Sequence, residues 1–111
     1  MSKNLTMSFL LDFYGDVLPE NQREAMDMFY NGDLSLSEIS EICGITRQGV
    51  RDRIVKGERT VTELESKLGL AKRFTDMKKD VDIIISGLNE LRETGETDVS
   101  RLIEAAKRLE N

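Results

Sequence analysis

Histidine and tryptophan are absent from this chain of 111 residues, cysteine and proline occur once each, and aromatic residues make up only 5% of it. Without histidine the chain lacks the usual proton carrier near neutral pH and the commonest metal ligand. One cysteine, Cys43, excludes an intrachain disulfide. With no histidine and no second cysteine, a structural zinc site has no ligand set. Cys43 falls where the surrounding pattern turns inward and reads as a small buried apolar residue rather than a redox thiol. Few aromatics argue against a sheet sandwich and against RNA platforms built from stacked rings. No apolar run is long enough to span a bilayer, and the start, MSKNLTMSFLLDFYGD, lacks the pattern of an export signal. A cytoplasmic location without membrane insertion is expected. Catalysis needs groups poised to move protons, attack or hold a metal. The carboxylates here lie on periodic polar faces, with Glu38 and Glu41 a helix neighbour pair, so neither an enzyme nor a cofactor is expected.

What is present is charge in the wrong proportion for its place. The chain carries a net charge of −5. The first 44 residues hold two basic and eight acidic side chains, a net of −6 that would repel a phosphate backbone. From Ile45 to Thr60 the balance reverses: five basic residues (Arg47, Arg51, Arg53, Lys56, Arg59) face two acidic ones (Asp52, Glu58), a net of +3. A local basic face on an acidic protein is the electrostatic footprint of a nucleic-acid surface.

That basic segment sits in the most structured stretch of the sequence, Ser35 to Lys56. Ser35 and Glu38 form a capping box for a first helix with Ile39 and Ile42 inward. Gly44 stands where the helix must turn left-handed. Ile45 plugs the turn. Thr46 caps a second helix whose inward residues are Val50 and Ile54. Two short helices joined in this way are a helix-turn-helix, whose second helix enters the major groove in DNA-binding proteins. An αα-hairpin without a nucleic-acid role has the same outline. With Val50 and Ile54 inward, Gln48, Arg51, Asp52, Val55 and Arg59 face outward. Gln48 suits an adenine edge and Arg51 a guanine edge. The competing reading is a solvated face paired with carboxylates, for which Asp52 and Lys56 have the right spacing.

The rest of the chain reads as helix. Leu5, Phe9, Leu10 and Phe13 predict a helix starting near Asn4 and ended by Gly15 and Asp16. Leu18-Pro19 opens another, with Ala25, Met26, Phe29 and Tyr30 buried, ended by Asn31-Gly32-Asp33. The helix begun by Thr46 meets no strong stop before Gly69, and Gly57 is a weak interruption. Val61, Leu64, Leu68 and Ala71, then Phe74, Met77, Val81, Ile84, Leu88 and Leu91, alternate by three and four in a heptad-like seam. Gly69 and Gly87 are candidate breaks. After a loop at Thr94–Thr97, Asp98 caps a last helix with Val99, Leu102, Ile103, Ala106 and Leu109 on one side. A seam this long needs a cover, either the first two helices or a second copy of the chain, and a homodimer through this half is expected.

Leu18-Pro19-Glu20-Asn21-Gln22-Arg23-Glu24 followed by Leu36 to Ile54 resembles the region-four domain of bacterial sigma factors, which reads the upstream promoter element. The whole chain is similar to the YlxM family of small helix-turn-helix proteins of Gram-positive bacteria, most closely from Met7 to Leu70. That family's genes lie beside those for signal recognition particle components, so the resemblance implies a role in that pathway. Its second motif helix has Ala, Tyr and Asn where this chain has Gly49, Arg51 and Arg53. The two extra arginines add positive charge, and Gly49 weakens the helix by about 1 kcal/mol. The expectation is therefore an all-α protein. Residues 1–59 form a sigma region-four-like helix-turn-helix DNA-binding domain, and residues 60–111 a helical C-terminal extension that dimerises. The expected partner is double-stranded DNA, with Gln48, Arg51 and Asp52 at base edges and Arg47, Arg53, Lys56 and Arg59 at phosphates. The alternative is a module that uses the same fold to bind signal recognition particle RNA or protein.

Overall fold

A computed structural model describes residues 5–110. Six α-helices, α1 (Leu5–Tyr14), α2 (Glu20–Tyr30), α3 (Leu36–Cys43), α4 (Arg47–Leu68), α5 (Leu70–Thr94) and α6 (Val99–Leu109), account for most of them. A single 3-10 turn, Gly15–Val17, follows α1, and there is no strand among the described residues. The protein is all-α, with a helix-turn-helix followed by long C-terminal helices. The chain divides into two compact units, Met1–Ala71 and Lys72–Asn111. The cut between residues 59 and 60 falls inside α4, which runs on to a left-handed Gly69 (φ 61°).

In the first unit Met26 of α2, Ile39 of α3, and Val50, Ile54 and Val61 of α4 are fully buried together. Ala25, Phe29, Leu18 and, from α1, Leu11 and Tyr14 complete this core. Of the apolar residues expected to mark α1, Leu10 and Phe13 pack against the core and Leu5 and Phe9 do not. Leu11 and Tyr14 are buried, with Met7 and Leu10 packed beside them, whereas Leu5 projects into solvent and Phe9 lies at the edge of the core. Phe9 keeps an edge-on contact with Phe13, ring centroids 5.1 Å apart. The expected helix start at Asn4 lies outside the described residues. On α3 the inward residues are Leu36, Ile39 and the half-buried Cys43. Ile42 stands about 100° round from that stripe and is 63% exposed, contrary to expectation.

Gly57 does not interrupt α4. It is buried where α2 crosses, and a Cβ there would collide with Met26, whose Cγ would lie at 3.2 Å. The glycine lets two helix backbones approach closely enough to close the core. At the far end of α4 a polar clamp replaces apolar packing. The Tyr14 hydroxyl donates to Glu65 Oε1 at 2.6 Å and accepts from the Leu70 amide at 3.1 Å. The same Glu65 oxygen accepts from the Ala71 amide at 3.0 Å. These contacts satisfy amides of the first turn of α5, which has no helical acceptor for them.

In the second unit α5 and α6 are antiparallel. Arg108 pairs with Asp80 at 2.8 Å, and Leu102 lies over Gly87, where a Cβ would come within 3.0 Å of Leu102 Cδ1. Gly87 is thus a packing site within a continuous helix. Asp98 caps α6 by accepting from the Arg101 amide. The residue α6 buries is Ala105, with Leu102 half-buried, while Val99, Ile103 and Ala106 face solvent. The expected one-sided apolar set is therefore split between a covered and an open face.

Gly57→Ala should overpack the crossing at a cost of about 1–3 kcal/mol, offset by about 1 kcal/mol of helix propensity. A net loss on the order of 1 kcal/mol is expected in urea unfolding, and a gain in stability would contradict the packing described. Burial first, and then the bond to Glu65, raise the pKa of Tyr14 above its ordinary 10.0. Burial and then Glu58 raise that of Tyr30. An acid whose folded pKa is raised stabilises the fold fully below its unfolded pKa and loses that contribution as pH rises through the folded value. Wild-type stability should therefore fall above pH 10, and Tyr30→Phe should flatten that fall when melts are compared on either side of that pH.

Candidate nucleic-acid interface

The turn between α3 and α4 is set by local bonds. Ser35 Oγ accepts from the Glu38 amide at 3.1 Å and Glu38 Oε1 accepts from the Ser35 amide at 3.1 Å, closing the capping box. Gly44 adopts φ 68°, ψ 31°, a conformation that is costly for a residue with a Cβ. Its amide donates to Ser40 O at 2.9 Å. Ser40 Oγ then donates to Ile45 O at 2.5 Å, bracing the turn from its inner side. Thr46 Oγ1 accepts from the Gly49 amide at 3.0 Å and starts α4. A Cβ on Gly49 would meet that capping oxygen at 3.2 Å, so the missing side chain leaves the cap unobstructed.

With Val50, Ile54, Gly57 and Val61 in the core, α4 turns the opposite side to solvent. Arg47, Gln48, Arg51, Asp52, Lys56 and Arg59 are all exposed. Arg47, Gln48 and Arg51 line one shallow groove with Ser35, Leu36 and Ser37 from the start of α3. Arg51, Asp52, Val55, Lys56 and Arg59 line the next one along the helix. Arg53 is not brought to this cluster. It lies two residues, about 200°, round from Arg51 and is half-buried on the other flank. The residues at the start of α3 were not singled out by charge. The signal that could have found them is the pair of helix caps, since the starts of α3 and α4 line one groove.

Both acidic residues of the segment from Ile45 to Thr60 are engaged by neutral donors. Gln48 Nε2 donates to Asp52 Oδ1 at 2.9 Å, so the possible Asp52–Lys56 pair does not form. Glu58 accepts a hydrogen bond from the Tyr30 hydroxyl of α2, which turns its carboxylate away from the outer face. Among the described residues, no carboxylate lies within ion-pair distance of Arg47, Arg51, Lys56 or Arg59. The arrangement can therefore offer positive charge to an external anion, plus one polar pair, Gln48–Asp52, with hydrogen-bonding edges at its centre. Also among the described residues, no helix is long and apolar enough to cross a membrane.

A family model described as "Putative helix-turn-helix protein, YlxM / p13 like" matches residues 1–101. A UPF0122 protein of Thermoanaerobacter sp. (strain X514) is 40% identical over 105 residues, 94% of this chain and 90% of the relative. One from Bacillus mycoides (strain KBAB4) is 34% identical over 110 residues, 99% of each chain. A third, from Caldanaerobacter subterraneus, is 46% identical over 80 residues, 72% of this chain and 68% of the relative.

The start of α4 rests on one side chain. Thr46→Ala should cost about 1 kcal/mol in chemical unfolding and increase hydrogen exchange at the Gly49 amide. Unchanged exchange there would contradict the cap.

Proposed function

The chain belongs to the YlxM/p13-like family of helix-turn-helix proteins, and from that premise we propose that it is a DNA-binding regulator that reads double-stranded DNA with α4. The observation that carries this reading is the outer face of α4, where exposed arginine and lysine side chains stand without carboxylate partners on a helix held in helix-turn-helix geometry. In this reading Gln48, Arg51 and Asp52 reach base edges in the major groove. Arg47, Lys56 and Arg59 contact phosphates, with Arg53 reaching the backbone from the other flank. The acidic remainder of the chain confines the contact to this face. A homodimer would present two such helices to successive major grooves.

A second reading has the same face contacting signal recognition particle RNA or protein. The carboxylate of Asp52, held at the centre of the face by Gln48, favours the protein contact within this reading, because it weakens attraction to any phosphate backbone, DNA or RNA. Titration of genomic DNA fragments and of that RNA, side by side across a salt series, separates the two. The DNA reading requires tight binding to a few fragments with a steep salt dependence, and a preference for the RNA would replace it with the second.

Arg51→Ala should relax base preference by about 1–3 kcal/mol at one position. Lys56→Ala should weaken binding to all sequences and lower the salt slope by about 1. Mobility-shift titrations of both variants check this, and behaviour identical to wild type would sink the assignment.

A further inference from the structure

The second unit leaves a large apolar face uncovered. On α5, Met77, Val81, Ile85 and Leu88 are each 36–52% exposed. On α6, Val99 and Ile103 are 56% and 49% exposed. Counting about 100° per residue, the exposed stripe of α5 lies roughly 100° round from the side that meets α6 through Asp80 and Gly87. The exposed stripe of α6, Val99 and Ile103, lies about 120–160° round from Ala105, in the same sense of advancing residue number. The helices are antiparallel, so those rotations have opposite sense when viewed from one end. Both stripes therefore open on the same side, as one face two helices wide.

We infer that this face pairs with the same face of a second copy, so that two α5–α6 hairpins close into a four-helix bundle. The inference rests on the homodimer proposed above and names the surface that forms it. Two observations select a second copy as the occupant. First, Phe74, Met77, Val81, Ile84, Leu88 and Leu91 keep an unbroken three-four alternation. That 3.5-residue period holds a seam against another long helix, and a flat or irregular partner does not need it. Second, Met77, Val81, Ile85, Leu88, Val99 and Ile103 are each 36–56% exposed, a set that opens on the order of 500 Å² of apolar surface, comparable to the apolar share of the roughly 800 Å² that each partner contributes to a stable complex. A self-complementary face of this kind closes with twofold symmetry. Gly87 contributes by letting α6 lie close to α5, which keeps the two stripes level.

Sedimentation equilibrium of the full chain tests the inference. The expected mass is about twice the 12.6 kDa of one chain. Val81→Glu combined with Ile103→Glu should give a monomer of unchanged helicity, because both side chains are already exposed within the chain. Ile85→Gln, which keeps the helix and removes one apolar contact per copy, should weaken dimerisation roughly tenfold or more. A wild-type monomer at tens of micromolar, a helical double variant that still dimerises, or an unchanged constant for Ile85→Gln would each overturn it. Failure of the DNA reading is separable. A dimer that ignores DNA supports this interface while removing the role of α4, and a wild-type monomer that binds DNA does the reverse.

Discussion

Everything about the basic face depends on the rotation of α4 about its own axis, and one contact does most to set that rotation. Met26 of α2 lies against the bare backbone of Gly57, with Val50, Ile54 and Val61 buried on the same side. Close packing in a core this small leaves no alternative seating, because a change of even one methylene group is felt. Once Gly57 faces α2, residues about 180° away must face water. Those residues are Gln48, Asp52 and Arg59, flanked by Arg51 and Lys56. The apolar crossing and the polar face are two sides of one constraint.

Hydrogen bonds then finish what packing begins. The Ser35–Glu38 box, the Ser40 brace and the Thr46 cap define where α3 ends and α4 begins. At the other end Tyr14 and Glu65 hold the first amides of α5. Tyr30 draws Glu58 toward α2, and Gln48 engages Asp52, so these two carboxylates are occupied by neutral donors while Arg47, Arg51, Lys56 and Arg59 stay open. A net positive segment thereby becomes a positive surface, a step that net charge does not guarantee.

The two units bury their residues to different degrees. The first has a closed core drawn from four helices. In the second, among the described residues, the buried side chains amount to Ala105 and little else, with half-buried residues such as Asp80, Ile83, Ile84 and Leu102 around it. An antiparallel helix pair can cover only the sides that face each other. The apolar residues left over are too regular in spacing to be incidental.

Caps, stops and the heptad-like alternation were legible in the sequence because each depends on residues within one or two turns of each other. Ser35, Gly44, Thr46, Gly69 and Asp98 all stand where their local chemistry places them. The outward residues of α4 were legible for the same reason, since two inward anchors fix a helix's whole periodicity. The inward side of α1 was not. Its apolar residues run nearly all the way round, so only contact with the other helices selects Leu11 and Tyr14 over Leu5 and Phe9. Ile42 and Val99 were misread likewise, because a short or doubly apolar helix has no single stripe. The roles of Gly57 and Gly87 lay entirely outside the sequence pattern. A glycine looks like an interruption until the side chain that crosses it, Met26 or Leu102, arrives from a distant part of the chain. By itself the sequence determined the helices, their caps and the position of the charge. The tertiary structure decided which faces meet, because that choice is made by volume and close approach between residues far apart in the chain.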